Sequence, residues 1–315
     1  MTANGPDKPV HFTVNGNSFT NAGGLQALIR FSRAADELGY DHLRLIDHVV
    51  GFVAERHPEV APTPYVHTSQ FQEVFTLMAH LSAITQRIGF VTGVLGLPQR
   101  QTALVAKQAA QVDVMSGGRL ILGVGVGYNS VEFGAMGASF GDRGERIEEQ
   151  IQVLRALWTE EVVTFHGKWH DLADVNINPL PVQRPIPIWM GAGRTANPVP
   201  PEKVMTRIGR SADGFMPLFR IDDKTGRLND EALACLETVR RAAETAGRDP
   251  SLMKLEISLF PDGKSADRIL HEIAYLRGIG TTHVHLRLPD TPVEQQIDQL
   301  GAFAQIRDRY LKTVP

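Results

Sequence analysis

Strand-like and helix-like stretches alternate eight times along this chain, and that alternation limits its fold more than any other feature. "VHFTV" leads into "LQALIRFSRAADELG", with Leu25, Leu28, Ile29 and Leu38 at helical spacing and Gly39 as a stop. "HLRLI", "IGFVTGV" and "RLILGVGVG" are followed in turn by "FQEVFTLMAHLSAIT", "TALVAKQAAQVDVMSGG" and "DRGERIEEQIQVLRALW". "IPIWM" precedes a helix from Pro201 to Ala212, and "GFMPL", "KLEISLF" and "HVHLRL" each precede another helical period. Eight such units predict an α/β fold, a (β/α)8 TIM barrel, before a doubly wound sheet. A chain of 315 residues, 43% hydrophobic, fills one such domain over residues 1–315.

Two stretches break the rhythm and read as loop insertions after strands 2 and 4. They are residues 49–70 and 159–185, both rich in proline and polar residues and without helical period. Long loops of this kind in compact domains carry function, and their aromatic content fits that role. The net charge of -3 and the mixture of signs give no basic stripe, which excludes nucleic acid and anionic membrane as expected partners and leaves a small-molecule substrate. Cys235 is the only cysteine, so no internal disulfide is possible, and its neighbours have no metal-ligand spacing. "MTANGPDKPV" has neither the basic nor the apolar region of a signal peptide, and no apolar run is long enough to span a bilayer. A cytoplasmic protein is expected.

"HLRLIDHVVG" ends an apolar strand on Asp47 and His48, which would be costly to seal in a core, so the strand is expected to stop at the rim of a pocket. "LILGVGVGYN" places Gly123, Gly125 and Gly127 at alternate positions; the third fingerprint glycine of a dinucleotide loop would be Tyr128, and no helix is read immediately after it. Alternate glycines clear one strand face for something flat, or relieve crowding inside a barrel. In "IWMGAGRTANPVPPEK" the strand is read to end at Met190, leaving Gly191, Ala192 and Gly193 beside Arg194 as an anion nest or as an ordinary turn. His283, His285 and Arg287 share one strand face, at the barrel mouth or in the core. His166 and His170 fall in a loop, where their spacing does not suit metal ligands, and no metal is expected. Glu148, Glu149, Glu160 and Glu161 are read as solvated surface.

"RIGFVTGVLGLPQRQTALVAKQAAQVDVMSGGRLILGVGVGYNSVEFGAMG", with "PLPVQRPIPIWMGAG" and "SADGFMP", resembles the bacterial luciferase-like monooxygenase family over about Gly24 to Leu218. The resemblance implies a (β/α)8 barrel, FMN or the deazaflavin F420 as cofactor, and a homodimer. An Asp-His pair after the second strand is similar to the branch that uses F420. On this basis the expected activity is hydride transfer between F420 and a small organic substrate. The alternatives are an FMN-dependent monooxygenase served by a flavin reductase, and a non-catalytic flavin-binding barrel.

The resemblance places Asp47 and His48 beneath the cofactor ring. His48 would pass a proton, as a histidine can near neutrality, while Asp47 would orient it or accept a cofactor hydrogen bond. It assigns Thr92, Gly93, Val94, Gly125, Gly127, Tyr128 and Asn129 to the ring and its side chain, and Gly191, Ala192, Gly193 and Arg194 to the phosphate. It also implies a bulge in "FVTGVLGLP" with a cis peptide joining Gly93 to Val94. Sugar-phosphate dehydrogenases of the family carry an acid after the third glycine, where this chain has Tyr128; that speaks against a sugar-phosphate substrate.

Overall fold

The structure, a computed structural model, describes residues 9–16 and 24–313; the residues read for a leader lie mostly outside them. Its elements follow the expected order. β1 (His11–Gly16), α1 (Gly24–Glu37), β2 (His42–Leu45), α2 (Val74–Ile84) and β3 (Gly89–Thr92) come first, then the short β4 (Leu95–Gly96) and α3 (Thr102–Ser116). β5 (Leu120–Gly125), α4 (Ser130–Ala135), α5 (Arg143–Thr159) and the hairpin β6 (Val163–His166) and β7 (Asp171–Val175) follow. The chain then runs through β8 (Ile188–Ala192), α6 (Glu202–Ser211), β9 (Gly214–Pro217), α7 (Asp230–Thr245), β10 (Lys254–Leu259), α8 (Ala266–Gly278), β11 (His283–Leu286) and α9 (Val293–Leu311). No helix among the described residues is long and apolar enough to cross a membrane.

The chain forms two compact units, one of residues 9–16, 24–44 and 189–313, the other of residues 45–188. In the first, β1 pairs in parallel with β11, β11 with β10, β10 with β9 and β9 with β8. Phe12, Val14, Phe215, Ile257, Leu259, Val284 and Leu286 are all buried there, as expected of strands covered on both faces. A polar knot sits among them: Arg44 Nη1 donates to Glu256 Oε1 at 2.6 Å and stands 3.1 Å from His285 Nδ1. His283 and His285 are both buried and belong to this interior. Helix starts are capped locally, with Asn229 accepting from Ala232 N for α7 and Ser265 from Arg268 N for α8.

In the second unit β5 pairs in parallel with both β3 and β4. The peptide between Gly93 and Val94, at the break between β3 and β4, is cis as expected. Trp158 ties α5 to α3 through its Nε1–H, which donates to the Ala106 carbonyl at 3.0 Å.

Four readings need correction. The second insertion contains the β6–β7 hairpin, whose strands are only four and five residues long and mostly exposed, so the alternation of Val163 and Phe165 is too brief to mark a strand. β8 continues two residues past Met190, because Gly191 and Ala192 stay in register with Met216 and Pro217 of β9. A helix does open after Tyr128: Asn129 caps α4, its Oδ1 accepting from Val131 N and Glu132 N. Glu149 is no solvated acid. Its carboxylate takes the N–H groups of Lys168, Trp169 and His170 and lies 2.7 Å from His170 Nδ1, fastening the hairpin to α5.

Candidate active site

Regular structure ends at Leu45, whose carbonyl accepts from Gly93 N at 2.7 Å, and the chain then presents Asp47 and His48 in succession. Asp47 is 5% exposed. Its Oδ1 accepts from Arg100 Nη2 at 2.7 Å, while Oδ2 is sealed from solvent with no donor among the described residues. Burial pushes the carboxyl up to about 6; the Arg100 guanidinium opposes this and the nearby Glu132 charge adds to it. The ion pair and the raised value are compatible because desolvation of so deep a carboxylate outweighs a single cationic contact.

His48 is held from the other side. Its Nδ1 lies 3.1 Å from Glu132 Oε2, and Glu132 Oε1 accepts from Val49 N at 2.5 Å. Burial tends to raise the Glu132 carboxyl, but hydrogen bonds from His48 and Val49 prevail and lower it, so it stays ionised. An ionised carboxylate only accepts, which makes His48 Nδ1 the donor and leaves Nε2 as the nitrogen free for chemistry. Glu132 is missed by sequence reasoning. The available signal was an acid between Val131 and Phe133 in a segment too short to show helical period.

The first insertion closes over this histidine. Its ring centroid lies 5.0 Å from that of Tyr65, 4.8 Å from Phe71 and 6.0 Å from Tyr128. Tyr128 and Thr63 share a hydroxyl hydrogen bond of 2.9 Å, and burial raises the Tyr128 phenol to about 12. Tyr128 therefore serves as a neutral hydrogen-bonding wall at ordinary pH.

The luciferase-like monooxygenase family model matches residues 10–289. The chain belongs to this family. Among similar proteins, Rv0940c, an uncharacterized protein of Mycobacterium tuberculosis, is 32% identical over 290 residues, 88% of this chain and 93% of that one. An F420-dependent glucose-6-phosphate dehydrogenase of Microbacterium testaceum is 28% identical over 249 residues, 77% of this chain and 67% of its own. A solved F420-dependent secondary alcohol dehydrogenase, in complex with an F420–acetone adduct, superposes with a TM-score of 0.73 at 17% identity, covering 95% of this chain and 98% of that one. The shared fold is the (β/α)8 barrel.

The other residues expected in the site are placed as follows. Thr92 is fully buried and its hydroxyl donates to the Gly123 carbonyl at 2.6 Å. Gly125 faces Gly96 in the β4–β5 ladder. At Gly127 (φ +73°) a Cβ would stand 2.7 Å from the Phe133 ring, so that glycine makes room for the protein's own side chain. In the other unit Gly193 has φ +98° and a Cβ there would run into the Pro198 carbonyl, while Arg194 and Asn197 exchange backbone hydrogen bonds of 2.9 and 3.0 Å. The Arg194 N–H is thus consumed within the turn, and its side chain is exposed.

The first unit also carries basic side chains beyond the carboxyl ends of its strands. A cavity of about 580 Å³ is lined by Arg220, Lys264, Arg268 and Arg287 with Phe260, against Asp223 and Asp262. The Arg220 and Arg287 guanidinium carbons lie 4.5 and 5.9 Å from the Phe260 ring centre. Fully buried Glu272 braces Lys264 at 2.9 Å and Arg268 at 2.7 Å. Of these cations sequence reading singled out Arg287 alone.

Asp47 Oδ2 suits this pocket to a flavin-type group. A buried acceptor without a donor is what the N–H edge of such a ring would satisfy.

Proposed function

We propose that the protein is an F420-dependent oxidoreductase, moving a hydride between the deazaflavin and a small organic substrate. The observation that carries this reading is the Asp47–His48 pair at the end of β2, one residue offering an unused buried acceptor and the other a nitrogen set free by Glu132. F420 dependence of the Microbacterium testaceum relative supports the choice of cofactor.

When bound, the deazaflavin supplies or takes the hydride. Asp47, backed by Arg100, would accept its ring N–H, and Gly93, Val94 and Gly125 would form the surface on which it lies, with Thr92 and Gly127 shaping the backbone beneath; the turn at Gly191, Ala192, Gly193 and Arg194, in the other unit, would by itself suit a phosphate. His48 Nε2 would move the substrate's proton, with Glu132 fixing the ring through Nδ1. Tyr65, Phe71 and Tyr128 would keep water from that nitrogen, and Asn129 would act through the helix it caps. The same reading includes a cytoplasmic homodimer, which sedimentation at twice 34.6 kDa would bear out.

Separate titrations with F420, FMN and FAD test the proposal. Tight binding of F420 is expected; tight binding of FMN alone would replace this reading with the reductase-served monooxygenase.

A further inference from the structure

The amino-terminal ends of the strands hold a second feature. His11, Lys254 and His283 are the first residues of β1, β10 and β11, and beside them opens a cavity of about 510 Å³, closed by Arg240 of α7, Arg277 of α8 and the turn to Thr282. The volume suits a small organic ligand. In (β/α)8 barrels this end serves stability, so its polar atoms are expected to find partners within the fold. Here two do not. Among the described residues Arg277 Nε and Thr281 Oγ1 are shut from solvent with no hydrogen-bond partner, and no carboxylate pairs with Arg277.

The wall is electropositive. Arg240, Lys254 and Arg277 face one acid, Glu237, whose carboxylate stands 3.9 Å from Arg240. Arg240 is fixed by donation to the Ile279 carbonyl at 2.8 Å. Burial holds the His283 imidazole neutral, with His42, His11 and Lys254 adding repulsion. The rest of the wall is flat or apolar: the His11 ring stacks on His283 at 4.8 Å and stays half exposed, and Leu233 and Leu236 stand nearby.

We propose that this cavity binds a small organic oxyanion, a phosphate or carboxylate on an aromatic or apolar body, with Arg277 and Lys254 holding the anion and Leu236 and the His11 ring the body. A guanidinium with unused donors matches the paired oxygens of either group. The site is separate from the cavity around Phe260, with which it shares no residue.

Calorimetric titration of the full chain with phenyl phosphate, benzoate and inorganic phosphate tests the assignment, beside Arg277→Gln, Lys254→Gln and, for the other cavity, Arg287→Gln. Saturable binding of an aromatic anion is expected near or below about 1 mM, tighter than inorganic phosphate. Arg277→Gln and Lys254→Gln should each weaken it about tenfold or more, and Arg287→Gln should leave it within about twofold. Two separate variants guard against one that fails to fold, and thermal unfolding of each reports its integrity. Preference for phenyl phosphate would name a phosphate ligand, and equal affinity for benzoate would extend the class to carboxylates; both support the site. No saturation with any probe, or a loss that follows Arg287→Gln and spares the other two, overturns it.

Discussion

Glu132 Oε2 lies 3.1 Å from His48 Nδ1 while Glu132 Oε1 takes the Val49 N–H, so one buried carboxylate sets both the ring and the backbone of the residue after it. Glu132→Gln puts an amide where only an acceptor now stands and lets the ring turn over. Turnover should fall on the order of a hundredfold while cofactor affinity stays within a few-fold. ¹⁵N shifts of the His48 ring report the tautomer directly, and an unaltered tautomer in the variant would remove Glu132 from this role.

His48→Ala should keep cofactor affinity within a few-fold and lose turnover by about a hundredfold or more. Stopped-flow reduction of the bound cofactor separates the two quantities. Full activity would exclude His48 as the proton carrier.

Asp47 titrates near 6 in the folded chain, so its Oδ2 is a full acceptor above that pH and a protonated group below it. Cofactor affinity should therefore rise as pH increases through about 6 and then level off. Asp47→Asn should bind more weakly at pH 7 and show no such step. Fluorescence titrations from pH 5 to 8 would show it, and a parallel step in the variant would point to another group.

Burial depresses the His42 imidazole to about 4, and among the described residues its Nδ1 has no partner. The unfolded chain takes up that proton near the ordinary value of 6.5, before the folded one does. The contribution of His42 is thus complete above pH 6.5 and is lost as pH falls from there to about 4. Urea midpoints measured across that window should drop in the native chain and drop less in His42→Phe.

Gly193→Val would drive a Cβ into the Pro198 carbonyl at a backbone conformation valine disfavours, so it should destabilise the turn whether or not phosphate binds there. Arg194→Ala keeps the backbone and is the cleaner variant. Its affinity loss should exceed threefold for the phosphorylated cofactor and vanish for the dephosphorylated one, as paired titrations would show.

The barrel was legible because each strand is an apolar run and each helix after it carries a 3.6-residue period. Asp47 and His48 were legible for the opposite reason, as charge where an apolar run should continue. Glu132 was hidden in a six-residue helix, and the β6–β7 hairpin in strands of four and five residues, too short and too exposed for a clear period. Gly191 and Ala192 look like the start of a turn, yet the pull of the β9 ladder keeps them in the strand. Lys264, Arg268 and Glu272 read as ordinary helix-surface charge, since nothing in their spacing reveals that Glu272 is fully buried.

The fastening of the hairpin by Glu149 makes the second insertion a detachable cassette. Three backbone N–H groups and the His170 ring converge on one carboxylate, and His170 Nε2 reaches Thr102 Oγ1 at 2.6 Å. The anchor points are thus supplied by α3 and α5, while the exposed side chains of β6 and β7 are free to vary around the buried Val163. A hairpin from a relative that presents a histidine and three amides to the same carboxylate could be grafted here without repacking the helices beneath, so this segment can diversify at little risk to the scaffold.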